Sequence, residues 1–238
     1  MADDDIQINV QVTPSFLPAN VRALKEYDED TAPLFTPVLD AFTVAYRVVA
    51  SIHDAREAAK NDQTMTENAR LVAVADFADK VMDRATTLFD RANTTVSSNI
   101  AALEKSLSEP VQSQAANSSI SREIRDHVKA LKGVGSAMGF VTDCIKRRDF
   151  ASASAILGAP HYLSGLTPEA QAVLLRMFHE AQNPGTAKRL AALKVAQDYL
   201  DRNSPLLFKE IEKGIGSDYR KIQMLRKGQN ARTKAFGV

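Results

Sequence analysis

Apolar residues recur along most of this chain at steps of three and four, the period of an amphipathic helix. The start of the chain differs. Ile6, Ile8, Val10 and Val12 alternate with Gln7, Asn9 and Gln11, a period of two in β-branched residues that reads as a strand. No other segment alternates in a way that would pair with it. With its backbone donors and acceptors unpaired, it either frays or adds itself to a sheet edge on another chain. Prolines at 14, 18, 33 and 37 then leave room for one short helix near residues 19–27, and residues 1–35 read as an extended N-terminal arm.

A helix is expected over residues 36–60, where Val38, Phe42, Ala45, Val49, Ile52 and Ala55 share a face. Asn61-Asp62-Gln63 ends it. Thr64-Met65-Thr66-Glu67 then has the order of a capping box, with Thr64 as the cap. From there to Glu109 neither glycine nor proline interrupts the pattern. Val74, Ala78, Val81, Ala85, Leu88 and Ala92 alternate steps of four and three, a heptad seam whose alanines admit a close neighbour. Beyond Ala92 the steps lengthen to four at Val96 and Ile100, a stutter that locally unwinds a supercoil. At 1.5 Å per residue this helix would run roughly 65–70 Å, which suits a stalk or an equally long partner.

The polar stretch 110–119 reads as a reversal, followed by a helix over 120–148 that would lie antiparallel to the long one. Gly135 and Gly139, four apart, would give that helix a thin face for close packing. Asp149 is placed to cap a short helix at 150–157. Thr167-Pro168-Glu169 opens the next, and helices are expected at 168–182, 186–202 and 205–227 before a loose tail. The fold class is all-α: an elongated bundle with a coiled-coil-like helical hairpin over 36–148, the arm with its lone strand, and a smaller helical subdomain over 149–238.

Composition narrows this further. Hydrophobic residues make up 45% and charged residues 25%, so the chain can bury a core; with 6% aromatics and no Trp, that core falls to Ala, Leu, Val and Ile. The one cysteine, Cys144, has no internal disulfide partner and reads as a packed small side chain. The acidic start Asp3-Asp4-Asp5 is unlike a signal peptide, and no uninterrupted charge-poor stretch reads as a membrane span. Net charge is +1, but acidic residues gather in 1–33 and basic ones in 203–238. Lys213, Arg220 and Lys227, seven apart, would form one stripe on a helix over 205–227. Such a stripe is a possible nucleic-acid contact, set against the plainer reading of a solvated face.

The spacing of the histidines and glycines does not fit the catalytic and metal-binding patterns they partly resemble. His179-Glu180 opens like a zinc-protease helix, but Asn183 stands where the second histidine is required. A bundle di-iron site needs Glu three residues before His, and the residues three before His53, His127, His161 and His179 are Ala50, Ile124, Gly158 and Arg176. The glycines at 133, 135 and 139 lack the Gly-Lys-Ser/Thr of a phosphate loop. No catalytic, cofactor or metal site is expected, and no cofactor. Tyr162 and Leu163, in an uncharged loop, are expected to tuck beneath the C-terminal helices.

The stretch Phe150-Ala-Ser-Ala-Ser-Ala-Ile-Leu-Gly-Ala-Pro-His-Tyr-Leu-Ser-Gly-Leu-Thr-Pro-Glu169 resembles segments of uncharacterised helical structural proteins of tailed bacteriophages and prophages. The resemblance covers this stretch alone and carries no functional residue with it. It implies a non-enzymatic virion or assembly protein, in the virion or the host bacterial cytoplasm. The partners implied are copies of itself or neighbouring virion proteins, met through the arm and the long helix.

Overall fold

The structure, a computed structural model, describes residues 11–116, 119–131 and 133–237. It is all-α, and among the described residues there is no strand. A 3-10 turn at Pro14–Phe16 leads into α1 (Pro18–Arg22), α2 (Ala32–Asn61), α3 (Glu67–Ala116), α4 (Ser119–Ala130) and α5 (Val134–Lys146). There follow α6 (Phe150–Leu157), α7 (Pro168–Gln182), α8 (Pro184–Asn203), α9 (Leu206–Ile215) and α10 (Tyr219–Phe236). The chain divides into two compact units, one holding residues up to Val96 and from Val195 onward, the other Ser97–Lys194. That division falls inside α3 and α8, whereas the sequence had suggested boundaries after residues 35 and 148.

In the first unit α2 is the central helix. Its start is set by buried Thr31, whose hydroxyl donates to the Glu26 carbonyl at 2.6 Å while its amide donates to the Asp28 carboxylate at 3.1 Å. Pro33 follows in the first turn, where a missing N–H costs nothing, and Pro37 is carried inside the helix. The helix therefore begins earlier than residue 36, and the arm is correspondingly shorter. By length and composition α2 is apolar enough to cross a membrane, yet half of its most apolar window is buried, with α1, α9 and the 3-10 turn packed against it. Its Phe42 lies 5.8 Å from Phe16, 5.1 Å from Phe89 and 4.9 Å from Tyr199, ring centre to ring centre.

Two junctions differ from the sequence reading for local reasons. The Asp62 carboxylate accepts from both the amide and the hydroxyl of Thr64, at 2.8 and 2.7 Å, so Thr64 is held in a turn. Thr66 caps α3 instead, accepting from the Ala69 amide at 3.3 Å. The expected helix over 205–227 is broken at Gly216, whose φ of +81° only glycine adopts cheaply. Arg56 supports that break by donating to the Lys213 carbonyl at 3.2 Å, close to the end of α9. Asp218 then caps α10, which stays helical to Phe236 where a loose tail was expected.

The second unit has a core of Val111, Val128, Val141, Cys144, Ala153, Ile156, Leu174 and Phe178, supplied by α3 to α7. The expected reversal at residues 110–119 is absent up to Ala116: α3 continues through Pro110 because Leu107, Val111 and Ala115 keep one buried face at steps of four. Gly158 lies directly on that face. A Cβ there would collide with the Val111 carbonyl oxygen and come within 2.8 Å of the Ala115 Cβ. The antiparallel partner expected over 120–148 is two helices, divided near Gly133 with φ +98°. Gly135 and Gly139 are exposed, and a Cβ on either would meet nothing within 4 Å, so neither packs closely against a neighbour. Asp149 caps α6 and Thr167 caps α7, as their sequence positions suggested.

Candidate interaction sites

The heptad seam of α3 faces inward with a shifted phase. Val74, Ala78, Ala85 and Ala92 are buried, but Val81 and Leu88 are only half-buried. In the column beside the alanines, one residue on, Ala75, Phe89 and Val96 are buried and Met82, like Val81, is half-buried. The sequence favoured Val81 and Leu88 because they are the larger aliphatics. Phe42 instead draws in Phe89, edge to face, and turns the helix to that register.

Of the arm residues, Ile6, Ile8 and Val10 lie outside the described residues. Val12 is buried in the first unit, in a bend and not in a strand. Its neighbours hold it there: the Thr13 amide donates to Glu210 at 3.0 Å, and Lys213 donates to the Gln11 carbonyl at 2.9 Å. Val12 thus belongs to the body, and any arm starts before Gln11. Lys213 sits on α9, while Arg220 and Lys227 sit on α10 beyond the Gly216 break, so the three do not form one helical stripe.

The second unit carries a groove of about 460 Å³ lined by Leu107 of α3, Leu175 and His179 of α7, and Leu190 and Ala191 of α8. Helical spacing explains the lining: Leu175 and His179 are one turn apart, and Leu190 and Lys194 are likewise. Its rim is charged with both signs. Lys194 pairs with Glu104 at 2.7 Å and Arg176 with Glu180 at 3.8 Å. His179 Nδ1 is buried without a hydrogen-bond partner, and burial holds this imidazole below its ordinary pKa. No sequence signal marked this groove, because Leu107 of α3 lies far along the chain from the consecutive helices α7 and α8 that form its other walls.

Tyr162 and Leu163, expected to tuck inward, are exposed at 63% and 39%; Leu166 takes the buried place. Cys144 is packed, and burial, with Asp149 adding to it, pushes its thiol above the usual value. Among the described residues no group of three or more His, Cys, Asp or Glu side chains is arranged to hold a metal ion. Fold and surface together define an all-α bundle with an open apolar groove. No family model, no curated protein and no solved structure matches the chain.

Proposed function

We propose that this chain is a non-enzymatic structural or assembly protein, a bacteriophage virion component that holds copies of itself or neighbouring virion proteins. The groove on the second unit is the observation that carries the reading. Half-buried Leu175 and Leu190 and exposed Ala191, over the buried Leu107, leave apolar surface open to solvent there, and such surface is stabilised when a partner covers it. The rim residues Glu104, Arg176, Glu180 and Lys194 supply both signs of charge, which suits a self-complementary contact with a second copy. The stretch 150–169, which resembles segments of phage structural proteins, supports the virion context.

The arm keeps its expected role upstream of Gln11, with one refinement. Among the described residues a second copy offers no strand, so a sheet edge for Ile6, Ile8 and Val10 would belong to a different virion protein. Mass in solution measured across protein concentration tests the central claim. Self-association should be present in the full chain and lost in Leu190→Glu with its helical content retained. A protein that stays monomeric at every concentration would overturn the self-contact. Removing residues 1–10 should leave self-association intact and abolish capture by the sheet-bearing partner.

A further inference from the structure

The helix α10 has an exposed face that the contact with a second copy does not use. From Tyr219 to Phe236 it carries Arg220, Lys221, Arg226, Lys227, Arg232 and Lys234 and no acidic residue. Only one of these is neutralised: Arg226 donates to Asp76 at 2.6 Å and to Asp79 at 2.7 Å. That clamp, with Ile222 buried beside it, fixes which side of α10 faces the body of the first unit.

The opposite side follows from 100° per residue. Arg220, Lys227 and Lys234 stand seven apart and form one row. Lys221 and Arg232, eleven apart, form a second row about a third of a turn away. All of these are exposed and have no ion-pair partner among the described residues. Between the rows run Met224, Gly228, Ala231 and Ala235, also exposed. Gly228 has open space where a Cβ would stand, and with Arg232 it borders the open cleft between α10 and the first turns of α3.

We infer that this face binds duplex nucleic acid through its phosphate backbone. A strip of small residues lets a helix settle into a groove, and the major groove of duplex DNA, about 12 Å wide, admits one helix. Cations on both flanks then reach the phosphates of both strands, which a single row would not do. A membrane surface fits less well. An interfacial helix buries large apolar residues such as Leu, Phe or Trp, and here the strip offers only Met224 as a large side chain. The acidic head Asp3-Asp4-Asp5 of another copy is short and would engage one row. With no Arg, Asn or Gln on the strip to read base edges, the binding is independent of sequence. The expected stripe Lys213, Arg220, Lys227 is thereby replaced by Arg220, Lys227, Lys234, with Lys221 and Arg232 on the other flank of the strip.

Fluorescence anisotropy of the full chain with a labelled mixed-sequence duplex of about 24 base pairs tests this, as salt is raised from about 50 to 300 mM. Binding should be alike for unrelated sequences, with a log–log salt slope of about −3 to −5. The combined change Arg220→Glu, Lys227→Glu and Lys234→Glu should weaken binding by about a hundredfold. The same net change at other exposed cations, Lys80→Glu, Arg84→Glu and Arg91→Glu, should weaken it by about threefold or less. Circular dichroism checks that both variants keep their helices. No duplex binding at low salt would overturn the inference, as would equal losses in the two variants. So would binding to phosphatidylserine vesicles, or to a peptide of residues 1–12, without binding to the duplex.

Discussion

In the first unit the rings of Phe16, Phe42, Phe89 and Tyr199 meet at centre-to-centre distances between 4.9 and 5.8 Å and fill the space between α2, α3 and α8, while further along α2 Gly214 of α9 comes close against Ile52. In the second unit much of the interior is Val128, Val141, Ala153, Ile156 and Leu174, and Gly158 lets α6 lie directly on the backbone of α3. Around Phe42 the first unit is spaced by side-chain volume; at Gly158 the second is spaced by how near one helix can come to the backbone of another. The Phe42 site is therefore most sensitive to atoms removed, the Gly158 site to atoms added.

Phe42→Ala should show the largest effect, a loss of about 3–5 kcal/mol, because three ring contacts go at once and leave a cavity. Urea unfolding measures the loss, and hydrogen exchange should place it in peptides of the first unit. Gly158→Ala adds one methyl yet should cost the second unit about 1–3 kcal/mol, since the Val111 carbonyl occupies that space. A neutral result there would show that α6 can retreat from α3, and the contrast between the units would collapse.

Caps should be indifferent to how an interior is filled. Thr66→Ala in the first unit and Thr167→Ala in the second should each cost about 1 kcal/mol, and Thr64→Ala less than Thr66→Ala. Gly139→Ala sharpens the point about glycine. It adds the same methyl as Gly158→Ala, but into open space within a helix, and should stabilise α5 by about 0.5–1 kcal/mol. A slope with pH is the mildest effect expected. Burial holds His53 and His179, one in each unit, below the ordinary imidazole pKa; at His53 the Lys213 charge acts in the same direction. The unfolded chain therefore binds protons first as pH falls. Their stabilising contribution is complete above about pH 6.5 and declines as pH drops through the folded values. His53→Gln should flatten the acid side of the stability curve, measured by urea unfolding at stepped pH.

Periodicity established the all-α class, and together with a polar cap or a proline break at their ends it placed α6, α7 and α8. It failed where one residue outweighed the pattern around it. Gly133 and Gly216 each occupy left-handed backbone, and a glycine in a sequence does not announce the sign of its φ. Pro110 erred the other way, because the buried face on either side of it outweighs the lost hydrogen bond. Of the candidate residues, the alanines of the seam were legible because small residues repeat at seven. The inward column was not, because which neighbour fills it depends on Phe42, far off in sequence. The groove on the second unit was illegible for the same reason, and the paired rows on α10 could not be seen until the break at Gly216 reset the helical phase.

Glu210 and Lys213 bind the backbone at Thr13 and Gln11, partners separated by 197 and 202 positions. Ribosomal synthesis delivers those partners last. By the time α9 leaves the ribosome, every residue of Ser97–Lys194 has already been made, and the second unit can close on local contacts. Until then Ile52 and His53 of α2 wait with the face meant for Gly214 uncovered. The first unit to begin is the last to finish, and for the length of that delay its apolar face is the part of the nascent chain most in need of a chaperone.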